Sequence, residues 1–362
     1  MKSEKLPNLF TLHSSLFIYS AFRQGRKASK IIHYSLFIIH HSSFIIHHSS
    51  FTPMTTILSI SGPTASGKSA LSVAVAKSLR DKGAGAQIVS CDSMQIYKKM
   101  NIGTGKITDE EMGGVPHHLL DILDPSECCS LADFTVLAHG AIDRVTEAGD
   151  LPILCGGTGL YLDNILFDTT LSDAPSDEAL RAELEEADSE ELHRRLREVD
   201  PESGEAIHQN NRKRVIRALE IYLLTGRTKS DWDACSRIKK SRYNAKRVHL
   251  VCNDRSYLYE RINKRVDEMF AAGLEEEART LFSAPLSKTA AGAIGYKEFL
   301  PYFRGECTLE EVREQVKQAS RNYAKRQLTW FKRQQEGALI LDCALPLDEK
   351  CAQIFDFLEG EG

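Results

Sequence analysis

Two patterns of apolar and polar positions alternate along most of the chain. One short apolar run begins at Ile57, and others occupy 87–91, 151–155 and 248–252. Between the first runs, apolar residues recur every three or four positions, which is typical of amphipathic helices. Short apolar runs that end in turn residues are typical of strands buried in a parallel sheet. The alternation predicts an α/β protein in which helices flank a parallel sheet.

The pattern changes near the middle of the chain, where strand signals vanish and helical ones replace them. The clearest helix there is 211–226, with apolar residues on one face and Gly226 at the position of a C-cap. Because a strand follows at 248–252, the helices are predicted to be an insertion domain. The predicted parts are a first section of the core at 54–175, a helical insertion at 176–245 and a section completing the core at 246–362.

Residues 1–53 have a different character. The segment repeats with a period of seven, as IIHYSLF, IIHHSSF and IIHHSSF from Ile31, and it holds half of the chain's 12 histidines. A repeat this short indicates low complexity rather than a packed domain. It is basic and Ser-rich, as organellar transit peptides are. The favoured interpretation is a dispensable, disordered extension, with the working protein beginning at Met54.

Composition excludes several classes of protein. With 42% hydrophobic and 27% charged residues, the chain can bury a core. No apolar stretch approaches the roughly 18 residues of a membrane span, so no membrane partner is expected. Nine cysteines, an odd count without a C-x-x-C pair, favour reduced thiols in the cytoplasm over disulfides or a zinc site.

The net charge of −4 conceals an asymmetry. Residues 1–53 carry +5, so the rest carries −9, and a polyanion would have to meet local basic patches. Two such patches are 237–247 and 317–333, each with six basic residues and no acid. The second lies on a long helix that Thr308 and Glu311 open with a capping box, and it interleaves aromatic residues. The patch 237–247 could equally be a solvated loop. The helical patch suits contacts with a nucleic acid or a bound apolar group, and a core helix with a solvated cationic face remains the alternative.

A glycine-rich loop follows the first apolar run. It fits the pattern G-x-x-x-x-G-K-[ST], between a strand and a helix, which predicts a P-loop NTPase-like sheet. In such a loop backbone N–H groups surround a phosphate, Lys68 adds a cation and Ser69 can ligate Mg²⁺. The predicted diphosphate-binding residues are Gly62, Pro63, Thr64, Ala65, Ser66, Gly67, Lys68 and Ser69.

Two further loops follow strands. The run 87–91 ends in Asp92, and 151–155 ends in GGTG, which contains Thr158. Because strand ends on the carboxyl side of a parallel sheet converge on the ligand crevice, both residues are expected near the phosphate cradle. Asp92 could bind Mg²⁺ or accept a proton, or be a turn aspartate; the GGTG run could be a turn without ligand contact.

Together these segments resemble the tRNA dimethylallyltransferases, or tRNA isopentenyltransferases. The motifs are GPTASGKS at Gly62, SCDSMQIYKKMNIGTGK at Ser90, PHHLLDI at Pro116, GGTGLYL at Gly156, NNRKRVIRALEIY at Asn210, GAIGYKEF at Gly292 and KRQLTWFKR at Lys325. The resemblance excludes residues 1–53. It departs in GTGK, where the family commonly has GTAK, and in having no proline after Lys106. Cys343 and Cys351 lack the spacing of the C-terminal zinc finger that longer eukaryotic relatives carry, so the chain resembles the bacterial form.

The resemblance implies an activity. A dimethylallyl group would pass from dimethylallyl diphosphate to N6 of the adenosine 3′ of the anticodon, position 37, in tRNAs that read codons beginning with U. The phosphate cradle would hold the diphosphate, which is the leaving group of the reaction. Mg²⁺ would be the cofactor, and Ser69 would ligate it. Asp92 would be the base and Thr158 would lie near the acceptor. A cytoplasmic monomer is expected.

The resemblance also implies where the tRNA anticodon arm binds. The implied residues are Asp92, Ser93, Met94, Gln95, Thr158, Arg181, Asn211, Arg212, Lys213, Arg214, Val215, Gly292, Ala293, Ile294, Gly295, Tyr296 and Lys297. Two other functions stay open from the residues alone. One is a P-loop kinase of a small alcohol or nucleotide, and the other is a nucleic-acid-binding ATPase.

Overall fold

Six parallel strands form a single sheet in the computed structural model, which describes residues 54–362 except 168–174, 237–240 and 361–362. The strands are β1 (Thr56–Ser61), β2 (Ala86–Ser90), β3 (His117–His118), β4 (Leu151–Gly156), β5 (Asn244–Val251) and β6 (Ala338–Asp342). Their order is β3-β2-β4-β1-β5-β6. The predicted parallel α/β sheet is confirmed. The repeat at 31–51 and part of the basic patch 237–247 lie outside the described residues.

Helices connect the strands. Before β5 they are α1 (Lys68–Asp81), α2 (Asp109–Met112), α3 (Leu131–Glu147), α4 (Gly159–Leu166), α5 (Glu178–Glu186), α6 (Ser189–Val199), α7 (Pro201–Ala206), α8 (Arg212–Thr225) and α9 (Lys229–Ser236). After β5 they are α10 (Arg255–Ala271), α11 (Leu274–Phe282), α12 (Lys288–Ala291), α13 (Phe299–Phe303), α14 (Leu309–Lys332) and α15 (Leu347–Glu359). Within the described ranges, no helix combines the length and apolar character needed to cross a bilayer.

The sheet buries both faces, as parallel sheets do. Successive β1 residues point to opposite sides: Ile57 joins an apolar cluster with residues of α3, α4 and α14. Leu58 and Ile60 join a second cluster with residues of α1 and α15. Since β1 lies between β4 and β5, the loop that leaves it stands at the middle of the sheet's carboxyl edge.

After α4, five further helices, α5 to α9, precede β5. Helices α5, α6 and α8 share an apolar cluster of their own, which includes Leu192, Leu196 and Leu219. The predicted helix at 211–226 is α8, and Gly226 is its C-cap with φ 71°. Buried Glu220 on α8 accepts hydrogen bonds from Arg181 and Arg217. A buried carboxylate is stable only with such partners, so this ion-pair cluster fastens α5 to α8.

Strand β5 begins four residues earlier than the apolar run at 248–252 predicts. Lys246 and Arg247 lie within it because their backbones pair with β1 while their side chains reach outward. Lys246 donates to the carbonyl of Gly360 and Arg247 to that of Glu336. Long cationic side chains can occupy strand positions in this way, which an apolar run does not reveal.

The expectation of reduced thiols throughout is wrong at one place. Cys252 and Cys343 form a disulfide with a Cα–Cα distance of 5.4 Å. The physical reason is strand register: Val251 pairs with Asp342, so the residue that follows each strand lies beside the other. The sequence separation of 91 residues hides this neighbourhood. The remaining cysteines whose side chains the structure describes are free thiols.

Candidate active site

The phosphate cradle lies between β1 and α1. Gly67 is the N-cap of α1 with φ 87°, and no side chain caps the helix, so its first N–H groups point into the loop. A Cβ at Gly62 would lie 2.8 Å from the Cβ of Leu250, so only glycine fits against β5. Lys68 Nζ donates to the carbonyl of Pro63 at 3.3 Å. Unpaired N–H groups, a helix N-terminus and a cation together form a site for an anion.

A cavity of about 350 Å³ opens at the carboxyl edge of the sheet, against this loop. From the P-loop and α1 it is lined by Thr64, Lys68 and Ser69. The other predicted site residues in its lining are Asp92, Ser93, Met94, Gln95, Gly292, Ala293, Ile294, Gly295 and Lys297. Three segments far apart in sequence therefore meet at one cavity.

Asp92 is both a turn residue and a cavity residue. Its Oδ1 accepts the backbone N–H groups of Met94 at 2.9 Å and Gln95 at 3.4 Å. These two bonds fix the carboxylate while the side chain still borders the cavity. The turn interpretation and the functional one are therefore compatible, because one oxygen is sufficient for the turn.

Thr158 is the N-cap of α4, and it makes no side-chain capping bond. Its side chain lies beside the hydroxyl of Tyr323 on α14, and Tyr323 itself lines the cavity. Burial and the nearby charge of Asp92 raise the pKa of Tyr323 to about 12. The phenol is therefore neutral at physiological pH, and can donate or accept a hydrogen bond beside Thr158.

Gln327 on α14 joins the two glycine-rich loops. Its Oε1 accepts the N–H of Thr64 at 2.8 Å, and its Nε2 donates to the carbonyl of Gly157 at 2.9 Å. The side chain is 5% exposed. Three residues later, the Trp330 ring lies against Gly159, where a Cβ would be only 2.2 Å from Trp330 Cδ1. Helix α14 thus sets the spacing between the P-loop and the GGTG loop.

Arg265 on α10 is a cavity residue that the sequence reasoning missed. Its Nη1 donates to Thr64 Oγ1 at 3.1 Å, which aims the guanidinium at the P-loop. A signal existed: α10 buries Leu258, Ile262 and Val266, and Arg265 adjoins that stripe. An arginine beside the buried face of a helix needs a buried anion or carbonyl partner.

The cavity is electropositive. Burial lowers the pKa of Lys68, against a raising effect of Cys155 and Asp92, and burial likewise lowers the pKa of Arg265. Two desolvated cations face one carboxylate, Asp92. A polyphosphate or diphosphate would replace the hydration that both cations lose.

Some predicted RNA contacts of the helical insertion are exposed, whereas others are buried or paired within the protein. Asn211, Lys213 and Arg214 are exposed and available to a large ligand. Arg212 instead donates to the carbonyls of Leu184, Glu185 and Ala187, which ends α5. Arg181 pairs with Glu220, and Val215 is 1% exposed inside the apolar cluster of the insertion. Arg181, Arg212 and Val215 therefore take part in helix packing, and their contact with RNA stays a prediction.

Two other predicted contact regions likewise contain both residues that pack within the fold and residues that line the cavity. In the segment 292–297, Tyr296 is fully buried and donates to Glu277, while the other five residues line the cavity. In the basic patch 317–333, Lys317 pairs with Asp267 and Arg321 donates to Asn263, both on α10. These two cations bind α14 to α10, whereas Arg326 lines the cavity.

Comparison with known proteins gives the class first. The family model described as IPP transferase matches residues 95–334, and one described as isopentenyl transferase matches 55–124. A tRNA dimethylallyltransferase of Geobacillus thermodenitrificans is 50% identical over 283 residues, which are 77% of this chain and 88% of that protein. The chain belongs to the tRNA dimethylallyltransferase family, and the resemblance seen in the sequence is confirmed.

Solved structures agree with this assignment. The tRNA isopentenylpyrophosphate transferase of Bacillus halodurans superposes with a TM-score of 0.62 at 44% identity, over 84% of this chain and 95% of that one. A eukaryotic dimethylallyltransferase acting on tRNA superposes with a TM-score of 0.71 at 28% identity, over 85% of this chain and 81% of that one. The P-loop NTPase-like fold with a helical insertion is confirmed.

Proposed function

We propose that this enzyme transfers a dimethylallyl group from dimethylallyl diphosphate to N6 of adenosine 37, next to the anticodon, in tRNAs that read codons beginning with U. The observation that carries the proposal is one cavity in which a phosphate cradle with two cations faces a fixed carboxylate. The names of the similar proteins support tRNA as the acceptor. The proposed setting is the cytoplasm, with the enzyme acting as a monomer on the anticodon arm.

The leaving group determines the first half of the mechanism. As the allylic carbon separates from its diphosphate, positive charge grows on carbon and negative charge on the departing oxygen. N–H groups at the start of α1, Lys68 and Arg265 stabilise that oxygen, because they are held in place before the reaction. The apolar cavity residues Ile262, Val266 and Met269 suit the hydrocarbon part of the donor.

The acceptor determines the second half. The exocyclic amine of adenine is a weak nucleophile because its lone pair is delocalised into the ring. Asp92 accepts a proton from this amine as the new C–N bond forms, and its Oδ1 is already held by two backbone N–H groups. The Tyr323 hydroxyl, in the cavity lining and close to both Asp92 and Thr158, offers a further hydrogen bond to the acceptor. The adenine must leave its stack in the anticodon loop to reach this cavity.

Mg²⁺ is the proposed cofactor. No cluster of three or more His, Cys, Asp or Glu side chains exists in the described part of the chain, but Mg²⁺ usually takes only one or two protein oxygens beside phosphate and water. The Ser69 hydroxyl, in the cavity lining, is a suitable oxygen donor. The ion would neutralise charge on the diphosphate.

One assay separates this function from a kinase or an RNA-stimulated ATPase. Purified protein is incubated with unmodified tRNA, Mg²⁺ and either labelled dimethylallyl diphosphate or labelled ATP. We expect the dimethylallyl label on tRNA and no ATP turnover. Lys68→Ala should lower dimethylallyl diphosphate binding and turnover together, because the cation contacts the leaving group before and during transfer. Transfer of phosphate, or ATP hydrolysis stimulated by tRNA, would refute the proposal.

A further inference from the structure

Residues 101–105 form one wall of the cavity, through Gly103, Thr104 and Gly105. Three successive N–H groups of this loop donate to a single carboxylate, that of Glu277 on α11. The N–H groups of Asn101 and Ile102 reach Glu277 Oε2 at 3.1 and 2.9 Å, and that of Gly103 reaches Oε1 at 3.0 Å. This wall is therefore held from behind by a residue that does not line the active-site cavity.

The same carboxylate also holds the segment 292–297. Tyr296 Oη donates to Glu277 Oε1 at 2.7 Å. The two segments fit closely, since a Cβ at Gly103 would lie 2.5 Å from the Tyr296 ring. Glu277 is thus the common anchor of two motifs, NIGTGK and GAIGYKEF, which lie far apart in sequence.

The far end of the loop holds Arg265. Its Nη2 donates to the carbonyls of Thr104 at 3.4 Å and Gly105 at 3.3 Å, while its Nη1 donates to Thr64 in the P-loop. A Cβ at Gly105 would lie 1.7 Å from Arg265 Nη2, so the guanidinium rests directly on the loop backbone. The position of these two carbonyls decides where the guanidinium points.

We propose that Glu277 is a positioning residue, which acts through the loop 101–105 to hold the Arg265 guanidinium toward the diphosphate. This inference rests on the proposed function, because dimethylallyl diphosphate is the ligand that Arg265 would meet. All four partners of the Glu277 carboxylate are hydrogen-bond donors. Glu277→Gln keeps the shape of the side chain but sets an NH₂ group against at least one of those donors, so the loop must shift.

The first test compares Glu277→Gln with Glu276→Gln, an exposed neighbour on the same helix. We expect Glu277→Gln to raise the KM for dimethylallyl diphosphate, and the Kd for pyrophosphate with Mg²⁺ measured by calorimetry, about tenfold. Glu276→Gln should leave both constants unchanged. A loss of folded protein alone would lower the apparent kcat and leave both constants as they are, and that result would overturn the proposal.

The second test is a double-mutant cycle with Arg265→Gln. If Glu277 acts through Arg265, Glu277→Gln should add less than twofold to the Kd of Arg265→Gln, and independent, multiplying effects would overturn the proposal. Should Glu277→Gln not fold, Tyr296→Phe removes one of the four donors and enters the same cycle with a smaller, about threefold, effect. The affinity for pyrophosphate depends on the phosphate cradle alone and not on transfer to tRNA. Wild-type protein that binds pyrophosphate but does not modify tRNA would therefore refute the proposed function and leave the role of Glu277 intact.

Discussion

Asp92→Asn is the sharpest test of the chemistry, because the structure separates the two roles of this side chain. Asparagine keeps a carbonyl oxygen that can accept the N–H groups of Met94 and Gln95, so the turn survives. Exchange of a charged acceptor for a neutral one costs about 1 kcal/mol of folding stability at most. What disappears is the proton acceptor that faces the cavity.

The magnitude follows from this separation. Loss of a general base lowers kcat by roughly 10² or more, which corresponds to about 3 kcal/mol of barrier. The effect on the barrier should therefore exceed the effect on stability, and tRNA affinity should change little. The assay is single-turnover transfer of labelled dimethylallyl groups at saturating tRNA, with the melting temperature of each variant measured in parallel.

The matched control is Asp150→Asn. Asp150 lies just before β4, at the amino edge of the same sheet, where it bonds to Gln87 at 2.7 Å. The Asp150→Asn substitution should alter the stability of the protein slightly and leave kcat unchanged. An unchanged kcat in Asp92→Asn would leave Asp92 as a turn residue only. Recovery of kcat at high Mg²⁺ concentration would instead assign the carboxylate to the metal and refute its role as the base.

Three further results are expected. Removal of residues 1–53 should leave transfer activity and melting temperature nearly unchanged, and a large loss of either would contradict a dispensable extension. Burial lowers the pKa of His249 from 6.5 to about 4, so this imidazole is neutral in the folded state. Because the unfolded state binds the proton more readily, the free energy of unfolding should fall by roughly 2–3 kcal/mol between pH 7 and pH 4.5. In denaturant titrations, His249→Gln should reduce this dependence on pH. Arg214→Ala should raise the KM for tRNA and reduce the slope of log affinity for tRNA against log salt concentration by about 0.7–0.9. Arg212→Ala should instead lower the melting temperature, because it removes the hydrogen bonds that end α5. Equal melting temperatures of the two variants would refute that distinction.

The sequence predicted those parts of the site that local pattern encodes. A glycine-rich loop between a strand and a helix, and Asp92 directly after a strand, are positions along the chain, and parallel strands bring their carboxyl ends together. The capping box of Thr308 and Glu311 is local in the same sense and is present in α14.

What the sequence did not reveal are contacts across large separations. Arg265 and Gln327 reach the P-loop from helices 201 and 263 residues away. Helical periodicity indicates which side of a helix is buried, but not which loop it meets. For the same reason, composition could not separate Lys317 and Arg321, which pair with α10, from Arg326, which faces the cavity.

The bridge made by Gln327 has a consequence for synthesis of the protein. Thr64 and Gln327 are 263 residues apart, so the P-loop leaves the ribosome long before its partner on α14 exists. Until then, the backbone N–H of Thr64 and the carbonyl of Gly157 lack the side chain that joins them, and the nascent chain cannot hold donor and acceptor loops at their final spacing. Catalytic competence should therefore arise late and abruptly during translation, and fragments that end before α14 should be inactive.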